Sequence, residues 1–264
     1  MDDLIRLEKV RGLIGGPVFG PVRSRRLGKS LGINPLPADL KICTFDCPYC
    51  ECGVTSWVES RDLASQAFPP VEEILKAVRA ALVHLDRHGT QVDSLTLTGN
   101  GETTLHPQFE RLIDGVLESR ELLLPTARVV VLTNATRVKA PPVRRALERV
   151  DQVVAKIDAG REETFRAINR PLEPITLDEI TEAVRTLPDV SVQTMFVRGR
   201  VDNTAPEEID AWIERLGRIG PAWVQIYSLE RVPAESGLQA VERADLEVIA
   251  ARLRERAGLT VSVY

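Results

Sequence analysis

Short, continuous apolar runs alternate along the chain with longer stretches in which apolar residues recur every three or four positions. The runs are typical of strands buried on both faces, and the longer stretches are typical of helices with one buried face. The predicted strands are Ser30–Asn34, Asp93–Thr98, Arg128–Thr133, Gln152–Ile157, Val190–Val197, Trp223–Tyr227 and Leu259–Val263. The predicted helices between them begin near Pro70, Pro107, Pro141, Glu162, Leu177, Pro206 and Ala244.

This alternation predicts an α/β protein whose parallel sheet is covered by helices. Six or seven such units fit a partial or complete (βα) barrel, and they also fit an open doubly wound sheet. In either fold the functional site lies at the carboxyl ends of the strands, on the loops that follow them. We expect one domain over residues 1–264, with an irregular lead-in over residues 1–29 and a terminal strand.

The composition changes this picture little. The 264 residues are 44% hydrophobic and 27% charged, which is ordinary for a globular protein, and the formal net charge of -4 gives no general attraction for nucleic acid. No apolar run approaches the length of a membrane span. The opening residues, MDDLIRLEKV, contain acids and no signal-peptide core, so we expect a cytoplasmic protein whose thiols stay reduced.

All four cysteines fall in one window, Lys41–Gly53, with the sequence KICTFDCPYCECG. Cys43, Cys47 and Cys50 have the spacing C-x3-C-x2-C, and soft thiolates of this kind favour an iron–sulfur cluster or zinc. Three ligands to a four-iron cluster leave one iron open to a small molecule. The alternative is a structural zinc site with four cysteine ligands, including Cys52. Outside such a zinc site, Cys52 is either a bystander or a redox-sensitive thiol. We favour the bystander, because a fourth ligand would close the open iron.

The stretch CTFDCPYC resembles the CxxxCxφC signature of the radical S-adenosylmethionine (SAM) superfamily, with Tyr49 at the aromatic position. The resemblance implies a partial (βα)6-type barrel and a 4Fe–4S cluster held by Cys43, Cys47 and Cys50. It also implies that S-adenosylmethionine binds the fourth iron and is cleaved by one electron to a 5′-deoxyadenosyl radical, which abstracts hydrogen from an unidentified substrate. Tyr49 is expected near the adenine of this cofactor.

The loop GNGE after the second predicted strand is similar to the GGE-type motif of the same superfamily, which binds the methionine amino group. Gly101 and Glu102 are the closest match. Gly99 is expected to let the backbone approach the cofactor, while Asn100 departs from the double glycine and its role is left open. His106 is a candidate proton donor, but we interpret it as a helix-start residue beside Pro107.

Further candidate cofactor residues follow later strands. Asn134 ends an apolar strand in a turn. Lys156 and Asp158 flank the end of the next strand, where a carboxylate could accept from ribose hydroxyls or simply form a solvated salt bridge. Gln193 and Gln225 interrupt apolar strands, and a polar residue inside a barrel needs a partner from the cofactor or the protein.

Arg25 and Arg26, before the first predicted strand, form either a solvated basic loop or an anion site for a substrate phosphate or carboxylate. The stretch GPVRSRRLGKSLGINP followed by the cysteine window is similar to a compact bacterial branch grouped with wyosine-forming tRNA enzymes. Those enzymes carry further cysteines upstream, and none precedes Cys43 here.

Three functional hypotheses therefore stay open. The first is a radical enzyme acting on a small molecule or on a residue of a partner protein, with a flavodoxin or ferredoxin as electron donor. The second is a tRNA-modifying radical enzyme, which the acidic balance disfavours because tRNA binding depends on phosphate contacts. The third is a non-catalytic iron–sulfur or zinc protein.

Overall fold

The computed structural model describes residues 9–10, 12–55 and 68–264, which divide into two compact units. The first unit spans Met1–Cys43, Thr55–Thr133 and Arg137–Val153, and the second spans Thr44–Val54, Asn134–Thr136 and Val154–Tyr264. The expectation of a single domain over residues 1–264 stays a prediction. No helix among the described residues is long and apolar enough to cross a membrane.

The first unit is a sheet with helices packed against it. Its strands are β1 (Lys9–Val10), β2 (Leu13–Ile14), β3 (Val18–Ser24), β4 (Gly28–Ile33), β5 (Ser94–Leu97) and β6 (Arg128–Thr133), and its helices are α1 (Val71–Arg87), α2 (Phe109–Leu123) and α3 (Pro141–Leu147). The strands β4, β5 and β6 are parallel and adjacent, and β3 adds an antiparallel strand beside β4. A side chain at Gly115 of α2 would overlap Leu75 of α1, so this glycine lets the two helices approach closely.

The prediction of an irregular lead-in is wrong for its described part. Strand β3 pairs with β4 as a hairpin, and β1 pairs with β2. The register of the hairpin shifts between Phe19 and Val22, around a Gly-Pro pair, so the apolar residues do not alternate with the regular period that marks a strand. Residues 1–8 and 11 of the predicted lead-in lie outside the described residues.

The second unit repeats the strand–helix alternation. Its strands are β7 (Gln152–Lys156, in this unit from residue 154), β8 (Ser191–Met195), β9 (Val197–Gly199), β10 (Trp223–Tyr227), β11 (Leu238–Ala240) and β12 (Val261–Val263), and its helices are α4 (Glu162–Ile168), α5 (Leu177–Arg185), α6 (Pro206–Ile219) and α7 (Arg243–Ala257). Strands β7, β8, β10 and β12 are parallel in that order. The predicted strands are confirmed, except that the run Val190–Val197 breaks at Phe196 into β8 and β9.

The two faces of this second sheet differ in chemistry. The indole Nε1 of Trp212 in α6 donates to Thr194 Oγ1, which shows that the Thr194 side of β8 faces the helix. Because side chains alternate along a strand, Gln193 points to the opposite face. Lys156, Gln193 and Gln225 are opposite one another in the parallel register, so they share that face.

Candidate metal and cofactor site

The cysteine window forms a tight loop rather than a strand or helix. The Cys50 N–H donates to Cys47 O at 3.0 Å, and the Gly53 N–H donates to Cys50 O at 3.2 Å. These two successive turns keep the thiols of Cys47 and Cys50 close enough to interact electrostatically. Cys43, Cys47, Cys50 and Cys52 are all half-buried.

Within residues 9–10, 12–55 and 68–264, no three His, Cys, Asp or Glu side chains are placed to hold one metal ion. A thiolate bound to zinc lies about 2.3 Å from it, so ligands of a single ion must crowd together. An iron–sulfur cluster instead offers each thiolate an iron of its own, which spaces the ligands more widely. By their chemistry, the thiols of the loop suit either kind of centre.

The Cys47 thiol sits in surroundings that disfavour a bare thiolate. Burial raises the pKa of Cys47 to about 12, and the negative charge of Asp158 adds to the effect. Such a thiol stays protonated at neutral pH unless a cation compensates the charge. A bound metal centre supplies that compensation, since a coordinating thiol loses its proton outright. The donor set and its surroundings therefore fit an iron–sulfur centre.

In the second unit, the chain after helix α4 clamps the start of the cysteine loop. The Asp46 N–H donates to the carbonyls of Asn169 and Arg170, at 3.1 Å each. The Leu172 N–H donates to Thr44 O at 2.9 Å. A β-bridge joins Phe45 to Pro171. The segment Asn-Arg-Pro at the end of α4 thus fixes the backbone immediately before Cys47.

Side chains tie the same loop to the end of strand β7. The Tyr49 hydroxyl lies 2.5 Å from Asp158 Oδ2, and Asn169 Nδ2 lies 2.8 Å from the same oxygen. Asn169 Nδ2 is also 3.3 Å from the Tyr49 oxygen and 3.5 Å from Cys47 Sγ. Burial, with the Asp158 carboxylate beside it, raises the pKa of Tyr49 well above its ordinary value. The hydroxyl therefore keeps its proton and donates to Asp158.

The Asp158 carboxylate has partners on both oxygens. Oδ1 accepts from Lys156 Nζ and from the Met195 N–H, at 2.8 Å each. Lys156 Nζ also lies 5.2 Å from the Tyr49 ring centre and 4.8 Å from the Tyr227 ring centre. Burial lowers the pKa of Lys156, but Asp158 and Tyr227 raise it more, so the net shift is upward. Lys156 and Asp158 form a buried ion pair, and the alternative of a solvated salt bridge is excluded.

Asn134 serves the same loop. Its Nδ2 donates to Thr44 Oγ1 at 2.8 Å, and its Oδ1 accepts from the N–H and the hydroxyl of Thr136. Thr44 Oγ1 and Thr136 Oγ1 are 2.8 Å apart. These contacts make Asn134 a brace for the residue that follows Cys43.

In the first unit, the GNGE loop is joined to the residue that precedes the first cysteine. The Ile42 N–H donates to Asn100 O at 3.0 Å, and the Glu102 N–H donates to Ile42 O at 2.9 Å. Gly101 has a φ of 136°, and a Cβ on it would lie 1.9 Å from Ile42 O. Only glycine fits there, so the requirement at position 101 comes from the approach of the cysteine-loop backbone.

Glu102 points its carboxylate inward, with 2% of the residue exposed. Its Oε1 accepts from the Thr104 N–H at 3.0 Å, the Thr104 hydroxyl at 2.5 Å and the Thr133 hydroxyl at 2.8 Å. Hydroxyl and backbone donors therefore fix the orientation of the buried Glu102 carboxylate.

Asn100 has a structural role in this unit. Its Nδ2 donates to the carbonyls of Ile14 and Pro37, and its Oδ1 accepts from the Ile14 N–H. The amide thus ties strand β2 to the loop, which explains why an asparagine stands where the related motif has its first glycine. A Cβ at Gly99 would overlap Asn34, so this glycine also serves packing. The predicted cofactor roles of Asn100 and Gly99 gain no support from these contacts.

His106 is held as a neutral structural residue. Its Nε2 lies 3.0 Å from Pro69 O, and its Nδ1 accepts from the Gln108 N–H at 3.2 Å. Burial lowers its pKa, although the bond to the Pro69 carbonyl opposes that shift. Both ring nitrogens are engaged, so the contacts favour the helix-start interpretation over a proton donor.

Gln193 and Gln225 form a pair on the polar face of the second sheet. Gln193 Nε2 donates to Gln225 Oε1 at 2.8 Å. Gln225 is fully buried, and its Nε2 has no hydrogen-bond partner among the described residues. Exchanging the oxygen and nitrogen of both amides would leave the Gln225 carbonyl oxygen unpaired in the same place. The pair therefore keeps one buried amide group unsatisfied.

Arg25 and Arg26 occupy the turn of the β3–β4 hairpin, at the amino end of β4. Asn34 and the GNGE loop follow the carboxyl ends of β4 and β5. The six residues of β4 separate these ends by roughly 17 Å, taking about 3.3 Å per residue. The predicted substrate contact of the two arginines is not supported by this placement and stays a prediction.

Comparisons with known proteins agree with the geometry. The family model described as the Radical SAM superfamily matches residues 40–205. UPF0026 protein slr1464 of Synechocystis sp. is 32% identical over 214 residues, covering 79% of this chain and 74% of that protein. The S-adenosyl-L-methionine-dependent tRNA 4-demethylwyosine synthase of Oryza sativa is 25% identical over 126 residues, covering 48% of this chain and 18% of that protein.

Among solved structures, a radical SAM methyltransferase from Sphaerobacter thermophilus has a TM-score of 0.66 at 15% identity. The similarity covers 89% of this chain and 65% of that one. At this identity the likeness concerns the fold alone, and it confirms the expected α/β class with the partial barrel.

Proposed function

Because this chain belongs to the radical SAM superfamily and to the UPF0026 family, we propose that it is a radical enzyme which abstracts hydrogen from a substrate. Members of the superfamily use a 4Fe–4S cluster and S-adenosylmethionine, which together supply a 5′-deoxyadenosyl radical by one-electron cleavage of the sulfonium. Enzyme class and cofactors follow from the family, whereas the residue roles below are our proposal.

Cys43, Cys47 and Cys50 are proposed to hold the cluster, and Cys52 to stay outside it. The observation that carries this proposal is the contact of Asn169 with both Cys47 Sγ and Asp158. This contact joins the predicted cluster ligand to the predicted cofactor carboxylate at the end of β7. A structural zinc knuckle has no need of such a link.

Each carboxylate is assigned to one part of S-adenosylmethionine. Glu102, oriented by hydroxyl and backbone donors, is proposed to attract the methionine amino group, with Gly101 giving close backbone approach. Asp158 is proposed to accept from a ribose hydroxyl, which would replace one of the four donors that it has in this structure. Lys156 is proposed to hold the Asp158 carboxylate in place through their ion pair. Tyr49 is proposed to orient Asp158 on the adenosine side of the cofactor.

The polar face of the second sheet is the proposed place for further recognition. The amide pair of Gln193 and Gln225 retains an N–H that needs an acceptor oxygen. An oxygen of the cofactor or of a substrate carbonyl would satisfy it and remove the penalty of burial. We propose a small molecule or a residue of a partner protein as the substrate, and a flavodoxin or ferredoxin as the electron donor. A cytoplasmic location, where thiols stay reduced, belongs to the same proposal.

A tRNA substrate is the second candidate, and the similarity to the wyosine synthase favours it. The net charge of -4 argues against it, because tRNA affinity depends on neutralised phosphates. Gel-shift titration with bulk tRNA at two salt concentrations separates the two candidates. Tight binding that weakens steeply with salt supports tRNA, and its absence supports the small-molecule or protein substrate.

The enzyme class is tested by anaerobic reconstitution with iron and sulfide, followed by dithionite and S-adenosylmethionine. We expect a brown protein with an electron paramagnetic resonance (EPR) signal that the cofactor perturbs, and formation of 5′-deoxyadenosine measured by chromatography. Cys47→Ala should abolish the product, whereas the matched variant Cys52→Ala should retain it. A colourless wild-type protein that holds one zinc ion and forms no deoxyadenosine contradicts the proposal.

A further inference from the structure

We propose that Asn169 is a positioning residue which donates an N–H···S hydrogen bond to Cys47 and thereby raises the reduction potential of the cluster. This inference rests on the proposed function, because it takes Cys47 as a cluster ligand. The asparagine lies outside the cysteine motif, 122 positions from Cys47.

The two N–H groups of the Asn169 side chain face different acceptors. Asn169 is buried, with 2% of the residue exposed. Its Nδ2 faces three acceptors: Asp158 Oδ2 at 2.8 Å, the Tyr49 oxygen at 3.3 Å and Cys47 Sγ at 3.5 Å. One N–H of Asn169 donates to the Asp158 carboxylate, and the second is left for the Tyr49 oxygen and the Cys47 sulfur.

The neighbouring groups fix the orientation of this amide. Turning it over would bring Asn169 Oδ1 against the Asp158 carboxylate, where two acceptors repel. The Tyr49 hydroxyl already donates to Asp158, so its oxygen is left as an acceptor. The carboxylate therefore selects the orientation in which the N–H groups point towards Cys47.

The backbone at Asn169 is held in place independently of its side chain. Its carbonyl accepts from the Asp46 N–H, and the next residue, Arg170, has a left-handed φ of 46°. Arg170 forms a bidentate ion pair with Glu235, whose own N–H donates to Pro48 O at 3.0 Å. A truncated side chain at position 169 therefore leaves the clamp on the cysteine loop intact.

A hydrogen bond to a ligating sulfur changes the redox properties of a cluster. Reduction adds negative charge to the cluster and its thiolates, so a donor stabilises the reduced form more than the oxidised form. Removing the donor should lower the reduction potential and make the cluster harder to reduce. A tenfold fall in the equilibrium constant for one-electron reduction corresponds to about 59 mV.

The test compares Asn169→Ala with Tyr49→Phe as a matched control. Tyr49→Phe removes a hydroxyl from the same carboxylate but leaves the amide-to-sulfur contact. Both variants and the wild type are reconstituted anaerobically, their iron is counted, and their midpoint potentials are measured by EPR-monitored titration. We expect full iron content in all three proteins. In Asn169→Ala the midpoint potential should be more negative, by an amount that corresponds to about a tenfold fall in the equilibrium constant for reduction. In Tyr49→Phe the change should be much smaller.

Three results overturn the inference. One is an unchanged potential in Asn169→Ala at full iron content, which would leave Asn169 a structural role only. Another is an equal shift in both variants, which would trace the effect to Asp158. The last is loss of the cluster from both Asn169→Ala and Asn169→Ser at unchanged melting temperature, which would make Asn169 necessary for assembly. A wild-type protein that assembles no cluster contradicts the proposed function itself and is recognised before any variant is made.

Discussion

Two buried carboxylates follow parallel strands in this protein, and they are held in opposite ways. Glu102, in the first unit, is oriented by neutral donors, two of them from Thr104 in its own loop. Asp158, in the second unit, is bound to the cation Lys156 and to donors that come from three further parts of the chain. The hydrogen bonds to Glu102 come from hydroxyl and backbone groups of the first unit, whereas those to Asp158 join distant segments of the second unit and include an ion pair.

This difference separates two tasks. Hydroxyl and backbone donors orient one carboxylate oxygen of Glu102, which suits its proposed role of binding an ammonium group. Asp158 accepts from four donors of the chain, one of them the cation Lys156, so its loss disturbs several segments at once. We therefore expect Asp158 to dominate stability and Glu102 to affect ligand affinity more than stability.

The largest effect should come from Asp158→Ala. The change leaves Lys156 without its buried partner and deprives Tyr49 and Asn169 of an acceptor. Breaking a buried ion pair from one side costs about 3–5 kcal/mol, so the free energy of unfolding should fall by that amount in urea denaturation. The control is Asp178→Ala, whose side chain is 69% exposed and whose pairing with arginines should be worth about 1 kcal/mol or less. Equal losses of unfolding free energy in Asp158→Ala and Asp178→Ala would contradict the special importance of the buried ion pair.

Glu102→Ala should have a smaller effect, about 1–3 kcal/mol, because it leaves hydroxyl and backbone donors of Thr104 and Thr133 without an acceptor. Glu102→Gln retains an acceptor oxygen in the same place and should recover most of that loss. Its affinity for S-adenosylmethionine, measured by equilibrium dialysis, should still fall about tenfold or more, since a charge-assisted bond is lost. Unchanged affinity in Glu102→Gln would remove the proposed ammonium-binding role.

The sequence allows the local arrangement to be predicted and not the long-range one. Gly101 and Glu102 lie in one short motif after an apolar strand, and the structure places them as a loop bound to the residue before Cys43. Asn169 could not be found in the same way, because its contact with Cys47 depends on how the chain turns after α4. The only local signal is Asn-Arg-Pro at a helix end, which ordinarily marks a stop. Strand β3 was not predicted either, because its register shift interrupts the alternation of apolar residues that marks a strand.

The amide pair of Gln193 and Gln225 tests how much an unpaired buried amide costs in stability. Gln193→Met removes the donor to Gln225 and leaves the Gln225 amide with no partner, which should cost about 1–3 kcal/mol of unfolding free energy. The double variant Gln193→Met/Gln225→Met replaces both groups and should return to within about 1 kcal/mol of the wild type. Denaturation of the three proteins measures this, and strictly additive losses would show that Gln225 is satisfied.

The smallest expected effect concerns His106 in the loop of Glu102. Burial lowers its folded pKa below the unfolded value, so the unfolded chain binds more protons at mildly acidic pH. The contribution of neutral His106 to stability is therefore complete above the unfolded pKa, near 6.5, and is lost as the pH falls below it. Unfolding free energies from pH 7.5 down to pH 5 should fall more steeply in the wild type than in His106→Asn, which cannot titrate. Parallel pH profiles would mean that His106 has the same pKa in the folded and unfolded protein, which would contradict the lowering by burial.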